Sequence, residues 1–178
     1  GGIFAAYGVT VALLARETSG KGQWLHTSLL ESLIYRMDFQ TSRWSIDHEI
    51  PGQAGNFHPT SIPTGVYRTK DGHINIAVFG GKIWERFCEA MGAPEWVNDE
   101  RSKSKAVRSV NRDWLNAGIE QRLRENTSDY WIEKLNGAGV PCGRVMGLAE
   151  MVEDPQVLDQ QMVLSQEHPG HGTVKMLG

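Results

Sequence analysis

Apolar and polar positions follow one another along the chain in patterns that predict a mixed α/β protein. The first segment, residues 3–15, is apolar on nearly every side, which predicts a helix buried all round. A Gly-Lys-Gly turn at 20–22 is followed by a weakly alternating stretch at 23–28, which predicts a strand. An apolar stripe beginning at Leu30 then predicts a second helix. This order of elements indicates an α/β fold.

A long segment without periodicity separates this part from the next. Residues 47–64 are rich in glycine, proline and polar side chains, which is typical of a loop. A loop of this length is usually functional or connects two domains. Beyond it, the segments 66–69 and 73–79 predict a β-hairpin. Asp71 and Gly72 predict its tight turn, with Gly72 at a positive φ.

The rest of the chain predicts a small α+β arrangement. Amphipathic patterns predict helices over about 83–91 and 111–124, and a third that begins near Thr127 and ends at 137–139. Residues 140–145 form a short extended piece. Asp154 and Pro155 then suit the start of a brief helix, and the tail at 163–178 carries two short apolar runs around a Gly/His turn.

Composition and charge exclude several classes of protein. The 178 residues are 40% hydrophobic and 22% charged, which is ordinary for a globular protein. The net charge of −3 provides no basic face for nucleic acid or anionic lipid. The run at 3–15 is shorter than the roughly 20 apolar residues that span a bilayer. With only two cysteines there is no disulfide framework, so we expect a cytoplasmic protein.

Three chemical motifs are incomplete. Residues 19–22 contain part of a phosphate-binding loop but lack its full glycine and lysine spacing. His168 and His171 have no third ligand nearby in the sequence, so no metal site is expected. Cys142 has no neighbouring base that would favour a nucleophilic thiolate.

Several ordered segments carry a resemblance that is far more specific than these motifs. The first block, residues 1–29, begins Gly-Gly-Ile-Phe-Ala-Ala-Tyr-Gly. Others follow in order along nearly the whole chain, at 55–59, 63–67, 70–74, 84–88, 108 with 111, 139–143, 154–155 and 168–172. Together they closely resemble the class III CoA-transferases, or CaiB/BaiF family. That family includes formyl-CoA transferase, carnitine CoA-transferase and α-methylacyl-CoA racemase.

The resemblance implies a fold and a division into domains. Residues 1–45 would be the C-terminal part of a Rossmann-like large α/β domain, and 46–64 an interdomain linker. Residues 65–145 would form the small α+β domain, and 146–178 a segment that returns to the large one. In this family two chains are threaded through each other as interlocked rings, so a homodimer is expected for the full-length parent.

The resemblance also implies a reaction. In the family an aspartate attacks the carbonyl of an acyl-CoA thioester, and coenzyme A is then transferred to a carboxylic acid. Counting back from residues 22–23 places this aspartate about three residues before Gly1. We therefore expect the chain to be the C-terminal part of a longer enzyme, to contain no catalytic residue and to be inactive alone. Coenzyme A and acyl-CoA are substrates, and no permanently bound cofactor is expected.

Two glycines are candidate substrate-binding residues. Gly1 and Gly2 would follow the nucleophile directly, where small residues permit close approach of an acyl-CoA and place a helix N-terminus beside a developing oxyanion. The alternative is that they only allow close packing of helices.

A polar loop supplies the other candidates. In the formyl-CoA branch a glycine-rich loop covers the intermediate, and its counterpart falls here near residues 58–61. The sequence is stiffer and more polar here, which makes closure of a mobile loop, and oxalate as the acceptor, less favoured. Asn56, His58, Thr60 and Ser61 are predicted to contact the substrate, with hydrogen bonds from the last three to an acyl or acid carboxylate. The alternative is a capped interdomain loop.

Three functions remain open. CoA transfer is favoured. The first alternative is racemisation of α-methylacyl-CoA on the same fold, by acid/base transfer of an α-proton. The second is a chain that only folds or binds a partner chain.

Overall fold

The computed structural model describes all residues 1–178, which divide into two compact units, 1–53 and 54–178. The first unit consists of three helices: α1 (Gly2–Ser19), α2 (Leu29–Tyr35) and α3 (Phe39–Asp47). Helix α1 ends at Gly20, which has a φ of 66° and so adopts the left-handed conformation that glycine tolerates best. Helix α2 begins with a capping box between Ser28 and Glu31.

One sequence expectation for the first unit is wrong for this chain, and another is met only in part. The predicted strand at 23–28 does not form. A strand needs a neighbouring strand for its backbone hydrogen bonds, and residues 1–53 offer no other strand. The first helix is present, but none of its residues is buried, and Ile3 is 87% exposed. Within the unit, α1 packs against α2 through the edge-on contact of Phe4 with Tyr35.

The second unit is built around a three-stranded antiparallel sheet. Its strands β1 (Thr64–Arg68), β2 (His73–Ala77) and β3 (Cys142–Arg144) lie in the order β1-β2-β3. Between β2 and β3 the chain forms four helices and one 3₁₀ turn: α4 (Gly81–Ala90), the turn Pro94–Val97, α5 (Lys105–Val110), α6 (Arg112–Leu123) and α7 (Ser128–Gly137). The hairpin and the three predicted helices are thereby confirmed.

The core of this unit lies between the sheet and the helices. Alternate residues of β2 point inwards, and the helices contribute apolar side chains at three- and four-residue spacing. The fully buried members include Ile74, Ile76, Phe87, Leu115, Ile119, Leu123, Leu135 and Val140. This core holds the sheet, and therefore the segment that precedes β1, in a fixed place.

The turn between β1 and β2 differs from the prediction. The register pairs Arg68 with His73, so four residues, not two, form the connection, and Gly72 has no positive φ. The reason is tertiary contact: the Asp71 carboxylate accepts hydrogen bonds from the Ser128 backbone N and hydroxyl at 2.7 and 2.9 Å. The Asp-Gly pair therefore docks against the start of α7 and does not form a type I′ turn.

The last part of the chain forms two short helices and a second hairpin. Helices α8 (Leu148–Met151) and α9 (Pro155–Asp159) precede strands β4 (Val163–His168) and β5 (Gly172–Leu177), which pair antiparallel. The predicted cap at Asp154 is confirmed, because its carboxylate accepts hydrogen bonds from the backbone N of Gln156 and Val157 in the first turn of α9. The assignment of 146–178 to a large domain remains a prediction.

A clamped loop as the candidate functional site

The structure brings four of the six predicted site residues into one loop of the second unit. Asn56, His58, Thr60 and Ser61 lie on the segment that leads into β1. Asn56 is exposed, His58 and Thr60 are half-buried, and Ser61 is buried. Gly1 and Gly2, the other two, belong to the first unit.

The start of this loop is held by backbone pairing with β1. The His58 backbone N donates to the Thr64 carbonyl at 2.8 Å, and the Val66 backbone N donates to the Asn56 carbonyl at 3.0 Å. The two segments approach so closely that a Cβ at Gly65 would lie 2.5 Å from the Phe57 ring and 2.7 Å from the Asn56 carbonyl oxygen. Glycine at position 65 is therefore a condition of this pairing.

The His58 side chain folds back onto the loop. Its Nδ1 accepts hydrogen bonds from the backbone N of Ser61 at 2.9 Å and of Thr60 at 3.2 Å. Burial lowers the pKa of His58 below its usual value, and the positive charges of Lys105 and Arg112 lower it further. Both observations favour the neutral imidazole with its proton on Nε2, because only an unprotonated Nδ1 accepts.

Two arginines hold the loop's carbonyl groups. Arg112 Nη2 donates to the carbonyl oxygens of Pro59 at 2.7 Å and of His58 at 3.3 Å. The buried Arg108 donates through Nε to the Ile62 carbonyl at 2.9 Å. Three N–H groups and three C=O groups of residues 58–62 are thus bonded, and we call this segment the clamped loop.

The two arginines were not predicted as site residues. They lie 46 to 54 positions from the carbonyls they hold, and no local pattern reports such a distance. The resemblance was the available signal for Arg108, which stands in one of its segments, whereas Arg112, the first residue of α6, gave none.

The polar side chains of the loop differ in what they can offer a ligand. The Ser61 hydroxyl donates to the Val78 carbonyl at 3.3 Å and so serves the loop's own structure. The Asn56 amide and the Thr60 hydroxyl make no side-chain hydrogen bond within the chain. These two groups can therefore accept or donate to a bound molecule without breaking an existing bond.

Gly1 and Gly2 have different surroundings. A Cβ at Gly1 would lie 3.3 Å from Leu29 Cδ2, which favours the helix-packing interpretation there. At Gly2 nothing lies within 4 Å of that position. Helix α1 has no side-chain cap, so its first N–H groups are open to an acceptor. A role beside an oxyanion remains a prediction for both glycines.

Other chemical groups in the chain show no sign of reactivity. Burial raises the pKa of the Cys88 thiol to about 12 and of the Cys142 thiol to about 11, which keeps both protonated at neutral pH. No cluster of three or more His, Cys, Asp or Glu side chains is arranged to hold a metal ion. None of the helices has both the length and the apolar character needed to cross a bilayer.

A comparison with protein-family models identifies the family. The model described as CoA-transferase family III matches residues 1–178. The chain belongs to CoA-transferase family III. The resemblance found in the sequence is thereby confirmed.

Relatives in CoA-transferase family III include two curated enzymes. The chain is 30% identical over 164 residues to an acetyl-CoA:oxalate CoA-transferase of Acetobacter aceti, covering 92% of this chain and 42% of that protein. It is 31% identical over 168 residues to a succinyl-CoA:mesaconate CoA-transferase of Haloarcula marismortui, covering 94% and 42%. The chain thus spans about two fifths of the length of these relatives.

The fold agrees with solved structures of the same family. A CaiB/BaiF family protein from Brucella suis superposes with a TM-score of 0.72 at 26% identity, over 92% of this chain and 43% of that one. The predicted α/β class of the CoA-transferase type is confirmed.

Proposed function

We propose that the protein containing this chain transfers coenzyme A between an acyl-CoA thioester and a small carboxylic acid. The observation that carries this proposal is the family match over all 178 residues. The two relatives described above are named for an acyl-CoA donor and a dicarboxylate acceptor, oxalate or mesaconate. A small dicarboxylic acid is therefore the acceptor class we propose, although the loop's sequence differs from the glycine-rich form.

The chemistry passes through a covalent aspartyl intermediate. The aspartate carboxylate attacks the thioester carbonyl and the C–S bond breaks. CoA departs as the thiolate, and the acyl group remains on the enzyme as a mixed anhydride. CoA thiolate then attacks the enzyme's carbonyl in the anhydride, which releases the donor acid and leaves an enzyme thioester. The acceptor carboxylate displaces CoA thiolate from this thioester to form a second mixed anhydride. The thiolate attacks the acceptor's carbonyl in that anhydride, which gives the new acyl-CoA and frees the aspartate. We place the nucleophile before Gly1 in the parent protein, with Gly1 and Gly2 beside it.

The clamped loop is this chain's own contribution. A mixed anhydride hydrolyses unless water is kept away, and a rigid cover held by Arg108 and Arg112 excludes water without having to order itself at each turnover. The Asn56 amide and the Thr60 hydroxyl are placed to orient the incoming acid. His58 acts as a positioning residue, because its Nδ1 fixes the backbone at Thr60 and at Ser61.

The partner of the parent protein is proposed to be a second copy of itself. The apolar side chains of α1, which are exposed here, need cover from other polypeptide. An interlocked homodimer with a Rossmann-like domain would cover these side chains. In that arrangement residues 46–64 are the linker and residues 65–145 the small domain.

Two assays test the proposal. The parent protein should exchange CoA between an acyl-CoA and a dicarboxylic acid, and should not exchange the α-proton of an α-methylacyl-CoA with deuterated solvent. Residues 1–178 alone should do neither. Proton exchange without CoA transfer would favour the racemase, and CoA transfer by residues 1–178 alone would contradict the placement of the nucleophile.

A further inference from the structure

A cavity of about 380 Å³ lies behind the clamped loop in the second unit. It is bordered by Ser61, by the start of α4 and by the start of α5. Its charged lining consists of three cations and one carboxylate: Lys103, Lys105, Arg108 and Glu85. The net charge of this lining is positive, although the net charge of the protein is −3.

One residue that lines this cavity carries a buried hydrogen-bond donor without an acceptor. Trp84 lines the cavity and is 3% exposed, and its indole Nε1 is the one buried side-chain nitrogen or oxygen without a partner in the chain. A buried donor without an acceptor costs free energy, so such groups are rare unless a ligand or water completes them. The indole nitrogen only donates, so what completes it must supply an acceptor oxygen.

The N-terminus of α4 opens onto the same cavity. This ten-residue helix begins after Gly80, and no side chain caps its first N–H groups. Both Gly80 and Gly81 line the cavity. Uncapped N–H groups together with the positive end of the helix dipole favour an anion at this position.

The cations beside Trp84 retain donors for a ligand. The Arg108 guanidinium carbon lies 4.5 Å from the centre of the Trp84 ring. Its Nε and Nη1 donate hydrogen bonds to backbone carbonyl groups, and its Nη2 makes no hydrogen bond in the chain. Lys105 forms no ion pair, whereas Lys103 is paired with Glu100. One guanidinium nitrogen and one ammonium are thus free to bind an anion.

We propose that this cavity binds a small oxyanion, held by the Trp84 indole N–H, Arg108 Nη2, Lys105 and the N-terminus of α4. A phosphoryl group and a carboxylate share the chemistry required, which is a negative charge spread over several acceptor oxygens. The site does not rest on the proposed CoA transfer, although Arg108 and Ser61 also belong to the clamped loop, because Trp84, Lys105 and the N-terminus of α4 are given no part in that reaction.

Binding is measured by calorimetry and by the shift of the thermal midpoint of the 178-residue chain, at constant ionic strength. Inorganic phosphate, pyrophosphate and succinate are the probes, with chloride as the reference anion. A ligand that binds only the folded state raises the midpoint as its concentration rises. Binding of the phosphates alone identifies a phosphoryl site, and binding of succinate alone identifies a carboxylate site.

Three variants tie the binding to the cavity. Trp84→Phe keeps the ring but removes the N–H, and Lys105→Gln removes one charge; each should weaken binding about tenfold, which corresponds to about 1.4 kcal/mol. Lys70→Gln removes a charge from a residue outside the cavity and should bind as the original chain does. Without ligand, Trp84→Phe should melt no lower, because it removes an unsatisfied donor.

Two results overturn the proposal. One is the absence of any midpoint shift and any heat with all three probes. The other is equal binding by the original chain, Lys105→Gln and Lys70→Gln, which would show that the anions act through general charge. Because Lys105 is exposed at the start of α5, its variant remains informative even if Trp84→Phe fails to fold.

Discussion

The Arg112 guanidinium donates a 2.7 Å hydrogen bond to the carbonyl oxygen of Pro59, a residue 53 positions earlier in the chain. The same nitrogen also reaches the His58 carbonyl. One side chain of α6 thereby fixes the point at which the candidate loop turns towards β1. The order of this loop is consequently a property of the helical layer as much as of the loop's own sequence.

Arg112→Ala should loosen the clamped loop and destabilise the second unit. It leaves two half-buried carbonyls without their charged donor, and we expect the free energy of unfolding to fall by about 1.5–3 kcal/mol. Urea unfolding measures this loss, and amide hydrogen exchange should become faster at Thr60 and Ser61. The control is Arg124→Ala, which removes an exposed ion pair with Glu120 and should change stability by less than about 0.5 kcal/mol. Equal effects of the two variants would contradict the clamp.

The order of the loop should depend on pH through His58. The folded-state pKa is lowered, so the stability that this group contributes is complete above its unfolded value of about 6.5 and is lost as the pH falls through the lowered folded-state pKa. The protection of the Ser61 amide, measured as the ratio of the exchange rate of an unprotected amide to its own rate at the same pH, should therefore be smaller at about pH 5 than at about pH 7.5.

His58→Asn is the matched variant for this effect. An asparagine oxygen can accept from the backbone N two residues on without titrating. Its loop should remain ordered at both pH values, and a pH dependence as steep as that of the original chain would assign the effect to another group.

Asp71→Ala should destabilise the protein more than Gly72→Ala. The Asp71 carboxylate holds the start of α7 through Ser128, whereas a Cβ at Gly72 would make only an ordinary 3.4 Å contact with the Ser128 hydroxyl. Hydrogen bonds from Ser128 lower the pKa of Asp71, so its contribution is present above the usual carboxyl pKa and is lost as the pH falls through the lowered one. Urea midpoints at neutral and acidic pH measure both effects. A larger loss in Gly72→Ala would restore the tight turn predicted from the sequence.

Gly65→Ala should break the pairing between the loop and β1. The new methyl group would overlap Phe57 and the Asn56 carbonyl, and we expect a cost of about 1–3 kcal/mol from overpacking. Gly137→Ala, in the last turn of α7 with open space around it, is the control and should be neutral or slightly stabilising. If both variants unfold at the same urea concentration, the close approach at Gly65 is not as described.

Local patterns predicted the parts of the fold that depend on local physics. The stripe of α6, the cap at Thr127 and the cap at Asp154 are read within one or two turns, and the structure confirms them. The short helices α3 and α5 were missed, because a single turn or two gives too few periods to detect.

The other failures, in the turn and in the site, involve partners that are distant in the sequence. Asp71 and Gly72 have the composition of a tight turn, but hydrogen bonds to Ser128, 57 positions later, select another geometry. The contacts of Arg108 and Arg112 with the loop are of the same kind. The polar residues of 56–61 were found as candidates because they are adjacent in the sequence. The two arginines that hold the loop are far from it in the sequence, so no local pattern connects them with it.

The role of the clamped loop in CoA transfer is tested most directly by His58→Ala in the full-length parent protein. The loop is proposed to orient the acceptor acid, so this change should raise the KM for the dicarboxylate acceptor or lower kcat. The dissociation constant of CoA should stay within about twofold, and His58→Asn should recover much of the lost activity. A collapse of CoA binding with unchanged acceptor kinetics would contradict the account, because it would place the loop at the nucleotide end of the substrate.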